Sequence, residues 1–131
     1  MNITFESVTP AEIYRAWPRE RAYVRDRLSS VETDRLSGVV LDGQLCGIIN
    51  IRASPGSKAE LGYWLQPQSR DRGVMKAAVR KYVADISIPL VAKTYLWNVA
   101  SIKVLQSAGF VFSHEANDVW KYWVRNQLTT K

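Results

Sequence analysis

The sequence has little cysteine, little histidine and no long hydrophobic segment. Its 131 residues include one cysteine, Cys46, and one histidine, His114, which excludes an internal disulfide and a zinc site built from cysteine and histidine ligands. No apolar run approaches the ~18 residues of a membrane span, and the N-terminus lacks the basic and then hydrophobic stretches of a signal peptide. We therefore predict a cytoplasmic protein that binds no metal and does not cross a membrane.

Glycine and proline are also scarce, with 7 and 5 residues, which excludes a collagen-like or low-complexity chain. The length suits one folding unit, and we predict that residues 1–131 form a single domain. The charge is unbalanced, because 18 Lys and Arg against 12 Asp and Glu give a formal net charge of +6 and a pI near 9.7. This excess favours a polyanionic ligand without naming it.

The first half of the chain predicts a strand, a helical segment and three further strands. Residues 2–8 form the opening strand, and Thr9, Pro10 and Glu12 supply the cap, the proline and the carboxylate of a helix start. Pro18 breaks or restarts this helix, whose apolar stripe continues to about Ser29 and is followed by a polar loop to Arg35. Asp42-Gly43 predicts a tight hairpin between strands 36–42 and 44–53. A turn at 54–57 then leads to a strand over 58–65.

The second half predicts a helix, a strand, a short helix and two strands. Residues 88–95 are expected to form a buried strand, Asn98 to cap the short helix, and Gly109 to end it. Strands over 110–114 and 119–125 complete a mixed α/β layer structure. The clearest helix has apolar residues at helical spacing, namely Met75, Ala78, Val79, Tyr82, Val83 and Ile86.

The segment from Gln68 to Met75 lies between the strand predicted over 58–65 and the clearest helix. It has the features of an anion site. A strand that leads through a short loop into a helix leaves backbone N–H groups unpaired, and the helix dipole adds to their attraction for phosphate. Arg70 and Arg72 add positive charge, and Gly73 lets the backbone approach a ligand. The segment is neither a P-loop nor a three-glycine dinucleotide motif. On these residues alone, an ordinary solvated basic loop stays open as the alternative.

Three segments of the chain carry a family resemblance when they are taken together. They are Glu60-Leu61-Gly62-Tyr63-Trp64-Leu65, Arg70-Asp71-Arg72-Gly73-Val74-Met75, and Asn98-Val99-Ala100-Ser101 running to Gly109-Phe110. This combination resembles the GCN5-related N-acetyltransferases (GNAT superfamily), especially the ribosomal-protein N-acetyltransferase branch related to RimJ and RimL, and it covers about half of the chain. The resemblance implies an α/β (α+β) GNAT fold. In that fold, a mixed and mostly antiparallel sheet of about seven strands is flanked by about four helices, and a splayed strand pair forms the acetyl-CoA cleft.

The resemblance implies a function as well as a fold. Acetyl-CoA would be the cosubstrate, and the acceptor would be a primary amine of a protein N-terminus, a lysine or a small molecule. Tyr63 and Trp64 either wall the acceptor pocket or fill the core, as aromatic residues of a strand more often do. We expect no metal, no membrane and no nucleic-acid partner, and a monomer or a homodimer. The residues implied to bind the cofactor are Trp64, Leu65, Arg70, Asp71, Arg72, Gly73, Val74, Met75, Asn98 and Ser101.

The implied reaction needs a base, because an amine of pKa ~10.4 is mostly protonated near neutral pH. Glu60 is the candidate catalytic base, acting through water; the alternative is a strand carboxylate that balances Lys58 or an arginine. A backbone N–H near Trp64 or Leu65 would stabilise the negative charge on the thioester oxygen. Ser101 is the second candidate catalytic residue, which bonds the departing sulfur or relays a proton to it, and its alternative is packing in the first helical turn. Asn98 either contacts the pantetheine arm or caps its helix.

Three residues depart from the family pattern. Leu105 stands where many members have the tyrosine that protonates the leaving thiolate. Asp71 puts a negative charge beside the expected diphosphate unless a neighbouring arginine pairs with it, and Met75 replaces a small residue. These departures leave an alternative function open, in which a catalytically degenerate GNAT-fold protein acts as a binding or inhibitory partner. His114, on a late strand, is either structural or suited to proton transfer at the border of the cleft.

Overall fold

The structure, a computed structural model, describes residues 1–22, 24, 36–52 and 58–126. The described helices and strands follow the predicted order of strand, helix, three strands, helix, strand, helix and two strands. The predicted polar loop before residue 36 and the turn at 54–57 lie outside the described residues. The strands are β1 (Ile3–Val8), β2 (Leu36–Leu41), β3 (Gln44–Arg52), β4 (Ala59–Leu65), β5 (Leu90–Tyr95), β6 (Val111–Ala116) and β7 (Trp120–Arg125). The helices are α1 (Pro10–Ala16), α2 (Val74–Val83) and α3 (Val99–Ser107), with 3-10 turns at Pro18–Glu20 and Pro67–Ser69.

The seven strands are ordered β1-β2-β3-β4-β5-β7-β6. Four of the strand pairs, β1–β2, β2–β3, β5–β7 and β6–β7, are antiparallel. β4 and β5 pair in parallel through Ala59–Leu90 and Glu60–Val91, the first two positions of each strand. The predicted mixed, mostly antiparallel sheet of seven strands is therefore confirmed. Three α-helices lie wholly within the described residues, and Arg21, Ala22 and Val24 are helical as well, where about four helices were expected.

The chain divides into two compact units. The first comprises Met1–Arg52 and Gly62–Val74, and the second comprises Ala53–Leu61 and Met75–Lys131. The division falls within β4, whose first three residues belong to the second unit and whose last four belong to the first. The single-domain organisation stays a prediction. Within the described residues, no helix is long and apolar enough to span a bilayer.

The helix cap and the hairpin turn that were predicted in the first unit are both present. Thr9 caps α1, since its side chain accepts the backbone N–H of Glu12 while the Glu12 carboxylate accepts the N–H of Thr9. That backbone donor holds the pKa of Glu12 below its usual value. Asp42 and Gly43 form the hairpin turn with φ values of 49° and 87°. After Pro18 the helix restarts as a 3-10 turn. The core of this unit contains Val8, Ile13, Val24, Leu36, Ile48 and Trp64.

The helix predicted from the apolar residues Met75 to Ile86 is α2. It ends at Val83, before the expected Ile86. A buried arginine from β7 stabilises this early end. Arg125 donates to the carbonyl oxygens of Val83 and Ile86, each at 3.0 Å, and the carbonyl of Val83 also accepts the N–H of Ile86, so the carbonyl groups at and just beyond the end of the helix are paired. Burial lowers the pKa of this guanidinium. The next strand begins at Leu90 rather than Ile88, because Pro89 has no N–H to donate to a sheet.

Candidate functional site

The end of β4 supplies the first part of the candidate site. Trp64 is only 3% exposed and lies in the core of the first unit, where its ring contacts Trp17 edge to face at a centroid distance of 4.9 Å. Its indole Nε1 is buried and has no hydrogen-bond partner among the described residues. The Trp64 side chain therefore serves packing, which leaves its backbone as the part suited to a ligand. Tyr63, the predicted acceptor-binding residue, is half-buried.

Gly47 of β3 lies against this strand end. A Cβ added to Gly47 would be 2.5 Å from the carbonyl oxygen of Trp64 and 3.2 Å from Cα of Leu65. Next to it, the carbonyl oxygen of Cys46 accepts the backbone N–H of Gln66 at 2.9 Å. The absence of a side chain at Gly47 thus allows the backbone of Trp64 and Leu65, where the oxygen-stabilising N–H was predicted, to approach β3 closely.

The variant Gly47→Ala is expected to lower the free energy of unfolding by about 1–3 kcal/mol, as overpacking does, because the new methyl group meets backbone atoms. The matched control is Gly38→Ala, whose methyl group would meet the movable Cδ1 of Leu45 at 2.6 Å and should cost less. Urea unfolding of both variants makes the comparison. An equal loss in the two variants would contradict the close approach of β3 and β4 at this point.

The loop that follows β4 carries the cationic part of the candidate site. Arg70 donates through Nε to the carbonyl oxygen of Leu65 at 2.8 Å, and its guanidinium carbon lies 5.9 Å from the centre of the Trp64 ring. Its two terminal nitrogens have no hydrogen-bond or ion-pair partner within the described part of the chain. Arg72 makes a long bond of 3.4 Å to the carbonyl oxygen of Gln68. Arg70 is thus fixed at one edge of its guanidinium while the other edge is left for an anion.

The backbone after Arg70 is exposed and turns sharply into α2. Asp71 and Gly73 have φ values of 65° and 76°, and a Cβ at Gly73 would meet nothing within 4 Å. The N–H groups of Asp71, Arg72 and Gly73 have no acceptor among residues 58–126 or the other described ranges. The loop therefore combines two arginines with exposed backbone donors at the start of a helix. The buried residues Val74 and Met75 form the first turn of that helix.

Asp71 does not form the compensating ion pair that the sequence left open, since no arginine of the described chain lies within ion-pair distance of its carboxylate. Its backbone offers a physical reason for an aspartate here, because Asp and Asn tolerate positive φ better than other residues with side chains. The negative charge at this point is therefore uncompensated by the described residues.

Glu60, the candidate base, lies on the part of β4 that belongs to the second unit. It is half-buried and opposite Val91 of β5. The structure records no ion pair between its carboxylate and Lys58 or any other described residue. The alternative role, a carboxylate that balances a neighbouring cation, thus finds no support in the described part of the chain.

Asn98 and Ser101 come together at the start of α3. The Oδ1 atom of Asn98 accepts the backbone N–H of Ser101 at 3.1 Å, which is the capping role. Ser101 is half-buried in the first turn. Leu105, at the position of the family tyrosine, is fully buried, and its carbonyl oxygen accepts the N–H of Phe110 at 3.0 Å.

Two other side chains that the sequence singled out, Cys46 and His114, lie away from the phosphate loop in sequence. Burial raises the pKa of the Cys46 thiol, in keeping with a core residue. His114 is exposed on β6, where its ring stacks on Tyr122 at 4.8 Å and its Nδ1 is 2.9 Å from Oγ of Ser113. Among the residues that the structure describes, no group of His, Cys, Asp and Glu side chains is arranged to hold a metal ion.

Comparisons with known proteins agree with this geometry. The sequence matches the acetyltransferase (GNAT) domain family over residues 4–111. YdaF of Bacillus subtilis strain 168, provisionally named a ribosomal N-acetyltransferase, is 32% identical over 85 residues. That alignment covers 60% of this chain and 42% of YdaF, so it spans less than half of that relative. The relative confirms the resemblance to the ribosomal-protein branch.

Solved structures share the fold. An acetyltransferase from Thermus thermophilus superposes with a TM-score of 0.71 and 19% identity, covering 95% of this chain and 97% of that one. The aminoglycoside acetyltransferase AAC(6')-Ib, solved in complex with coenzyme A, superposes with a TM-score of 0.68 and 15% identity over 95% of both chains. With the family match extending over most of its length, the chain belongs to the GNAT acetyltransferase domain family.

Proposed function

We propose that the protein is an acetyl-CoA-dependent N-acetyltransferase whose acceptor is a primary amine of a protein N-terminus, a lysine or a small molecule. Family membership supports acetyl transfer to an amine. The observation that carries the proposal is the loop after β4. There, an arginine is fixed through Nε to a backbone carbonyl, and exposed N–H groups lead into a helix. The excess of basic residues, +6 overall, adds to the attraction for a polyanionic cosubstrate.

The loop suits a diphosphate for three reasons. Backbone N–H groups at the start of a helix bind anions without a side chain. Arg70 presents the free edge of its guanidinium, which bonds phosphate oxygens in a bidentate manner. Gly73 leaves open space where a side chain would exclude the ligand. The side chain of Met75 is buried in the first turn of α2, so Met75 would contact phosphate through its backbone N–H.

The transfer requires three events, and each has a candidate group. The amine nitrogen, deprotonated by Glu60 through water, attacks the thioester carbon of acetyl-CoA. A backbone N–H at Trp64 or Leu65 stabilises the negative charge that develops on the carbonyl oxygen. The C–S bond breaks, and Ser101 hydrogen-bonds the departing sulfur or relays a proton to it. Asn98 holds Ser101 in place through the helix cap, and Tyr63 walls the acceptor pocket.

The variant Asp71→Asn is expected to tighten acetyl-CoA binding by about 2–5-fold at low ionic strength, since it removes an unpaired negative charge near the diphosphate while tolerating the same φ. The gain should shrink as salt is added, because exposed charges are screened. Asp85→Asn, which removes an exposed carboxylate elsewhere on the chain, is the control. Titration calorimetry at two salt concentrations gives the comparison. Weaker binding by Asp71→Asn would mean that the carboxylate helps to hold the loop.

The test of the proposed function has two stages. Acetyl-CoA should raise the melting temperature in a saturable manner, and thiol release should begin when an amine is added. Peptides with a free N-terminus, peptides whose only amine is a lysine, and small amines distinguish the three acceptor classes. Binding without thiol release for every class would favour the catalytically degenerate alternative. The absence of acetyl-CoA binding would contradict the proposal.

A further inference from the structure

Gln66, which belongs to no motif in the sequence, is held by several hydrogen bonds next to the phosphate loop. It stands between β4 and the 3-10 turn Pro67–Ser69. Its backbone N–H donates to Cys46, and its carbonyl oxygen accepts the N–H of Ser69 at 3.0 Å. Its side chain accepts a hydrogen bond from Nε1 of Trp17 at 3.0 Å and donates one to Oγ of Ser69 at 2.9 Å. Both ends of the amide are therefore used.

The orientation of this amide is determined by chemistry. The indole N–H of Trp17 can only donate, so it must face the oxygen of the Gln66 amide, and the amide nitrogen must then face Ser69. Few side chains offer an acceptor and a donor at this reach. Leucine has the size but neither group, and glutamate has the acceptor without the donor when it is ionised.

Trp17 connects this bridge to the N-terminal helix. It is the residue that follows α1, and its backbone N–H donates to the carbonyl oxygen of Ile13. Its ring also packs edge to face on Trp64. The end of α1 is thus fastened to the end of β4 twice, by ring contact and by the hydrogen bond to Gln66.

Ser69 connects the bridge to the phosphate loop. It is 7% exposed, and the residue after it is Arg70, whose backbone N–H donates to Pro67 at 3.1 Å. Arg70 in turn reaches back to the carbonyl oxygen of Leu65, the residue before Gln66. The position of the Arg70 guanidinium therefore depends on the turn that Gln66 holds closed.

We propose that Gln66 is a positioning residue for acetyl-CoA binding. By bridging Trp17 to Ser69, it fixes the turn from which Arg70 presents its guanidinium to the diphosphate. This inference rests on the proposed function. A second consequence follows, because the position of α1 and the affinity of the phosphate loop become linked through one side chain. Trp17 and Gln66 should therefore act as one unit in binding, although they are 49 residues apart in the chain.

The experiment is a double-mutant cycle on the full chain with acetyl-CoA as the probe. Trp17→Phe keeps an aromatic ring against Trp64 and removes the N–H donor, while Gln66→Leu removes both amide groups. Each is expected to raise the Kd for acetyl-CoA by about 5–30-fold, and the double variant should bind no more weakly than the worse single one, because both changes break the same bridge. In turnover assays, Gln66→Leu should raise the KM for acetyl-CoA and leave kcat within about twofold, a split that general destabilisation would not produce.

The matched control is Gln44→Leu, at the start of β3 and outside the phosphate loop. Its exposed side chain makes no hydrogen bond with the described residues, and its Kd should stay within about twofold of the parent protein. If Gln66→Leu does not fold, Ser69→Ala breaks the other end of the bridge and should give the same rise in Kd. If the parent protein binds acetyl-CoA but the two substitutions have additive effects on the Kd, or no effect, this inference is wrong and the proposed function still stands. A parent that does not bind acetyl-CoA overturns the proposed function and this inference with it.

Discussion

Replacing Gly73 with glutamate is expected to raise the Kd for acetyl-CoA by at least about 100-fold. The carboxylate would extend into the open space above Gly73, at a helix N-terminus that favours an anion, and would compete there with the diphosphate. Charge repulsion and steric exclusion act in the same direction. The change in melting temperature on adding acetyl-CoA should disappear.

Backbone strain must be separated from this effect, because Gly73 has a positive φ and any side chain is disfavoured there. Gly43 in the hairpin turn is the matched control position. It has a φ of 87°, and a Cβ on it would also meet nothing within 4 Å. Gly43→Glu should therefore lose similar stability and keep acetyl-CoA binding. If the two variants bind acetyl-CoA equally well, the loop after Arg70 does not hold the diphosphate.

The variant Glu60→Gln is expected to lower turnover by about 10²–10⁴-fold, the usual contribution of a general base, with little change in acetyl-CoA affinity. The remaining rate should increase with pH, since the acceptor amine then loses its proton to solvent. The measurement is a pH profile of thiol release together with the Kd for acetyl-CoA.

Glu6→Gln, on the exposed part of β1, is the control for removing a strand carboxylate, and its turnover should match the parent protein at every pH. A Glu60→Gln variant with the parent profile would assign the base to another group. A variant that loses acetyl-CoA binding as well would place Glu60 in the support of the cofactor site rather than in proton transfer.

The elements that were predicted well have local signals. The α1 cap depends on residues three apart, and the β2–β3 hairpin depends on two adjacent residues, so both can be recognised from the chain alone. The early end of α2 was not predictable in this way, because the side chain that stabilises it, Arg125, comes 42 residues after Val83. The start of β5 at Leu90 could have been predicted from Pro89, which has no N–H for a sheet. The apolar pattern from Ile88 onward hid this signal.

In the candidate site, too, features with a contiguous sequence motif were predictable, and features that depend on distant residues were not. The candidate phosphate loop and the Asn98 cap were predicted from contiguous motifs. Trp64 was assigned to cofactor binding through its backbone N–H, and that assignment stays a prediction. Its side chain lies in the core, which the sequence left open, since neighbouring aromatic residues on a strand face opposite sides and only packing decides which one is buried. Gln66 was missed because its partner Trp17 is distant in sequence and glutamine next to proline carries no motif.

The bond from Arg125 to the end of α2 has a consequence for the order in which the polypeptide acquires its structure during synthesis. A nascent chain that has emerged only as far as β6 contains α2 without the guanidinium that bonds the carbonyl oxygens of Val83 and Ile86. Both bonds can form only when β7 has left the ribosome. We therefore expect the second unit to gain resistance to proteases only after β7 has emerged.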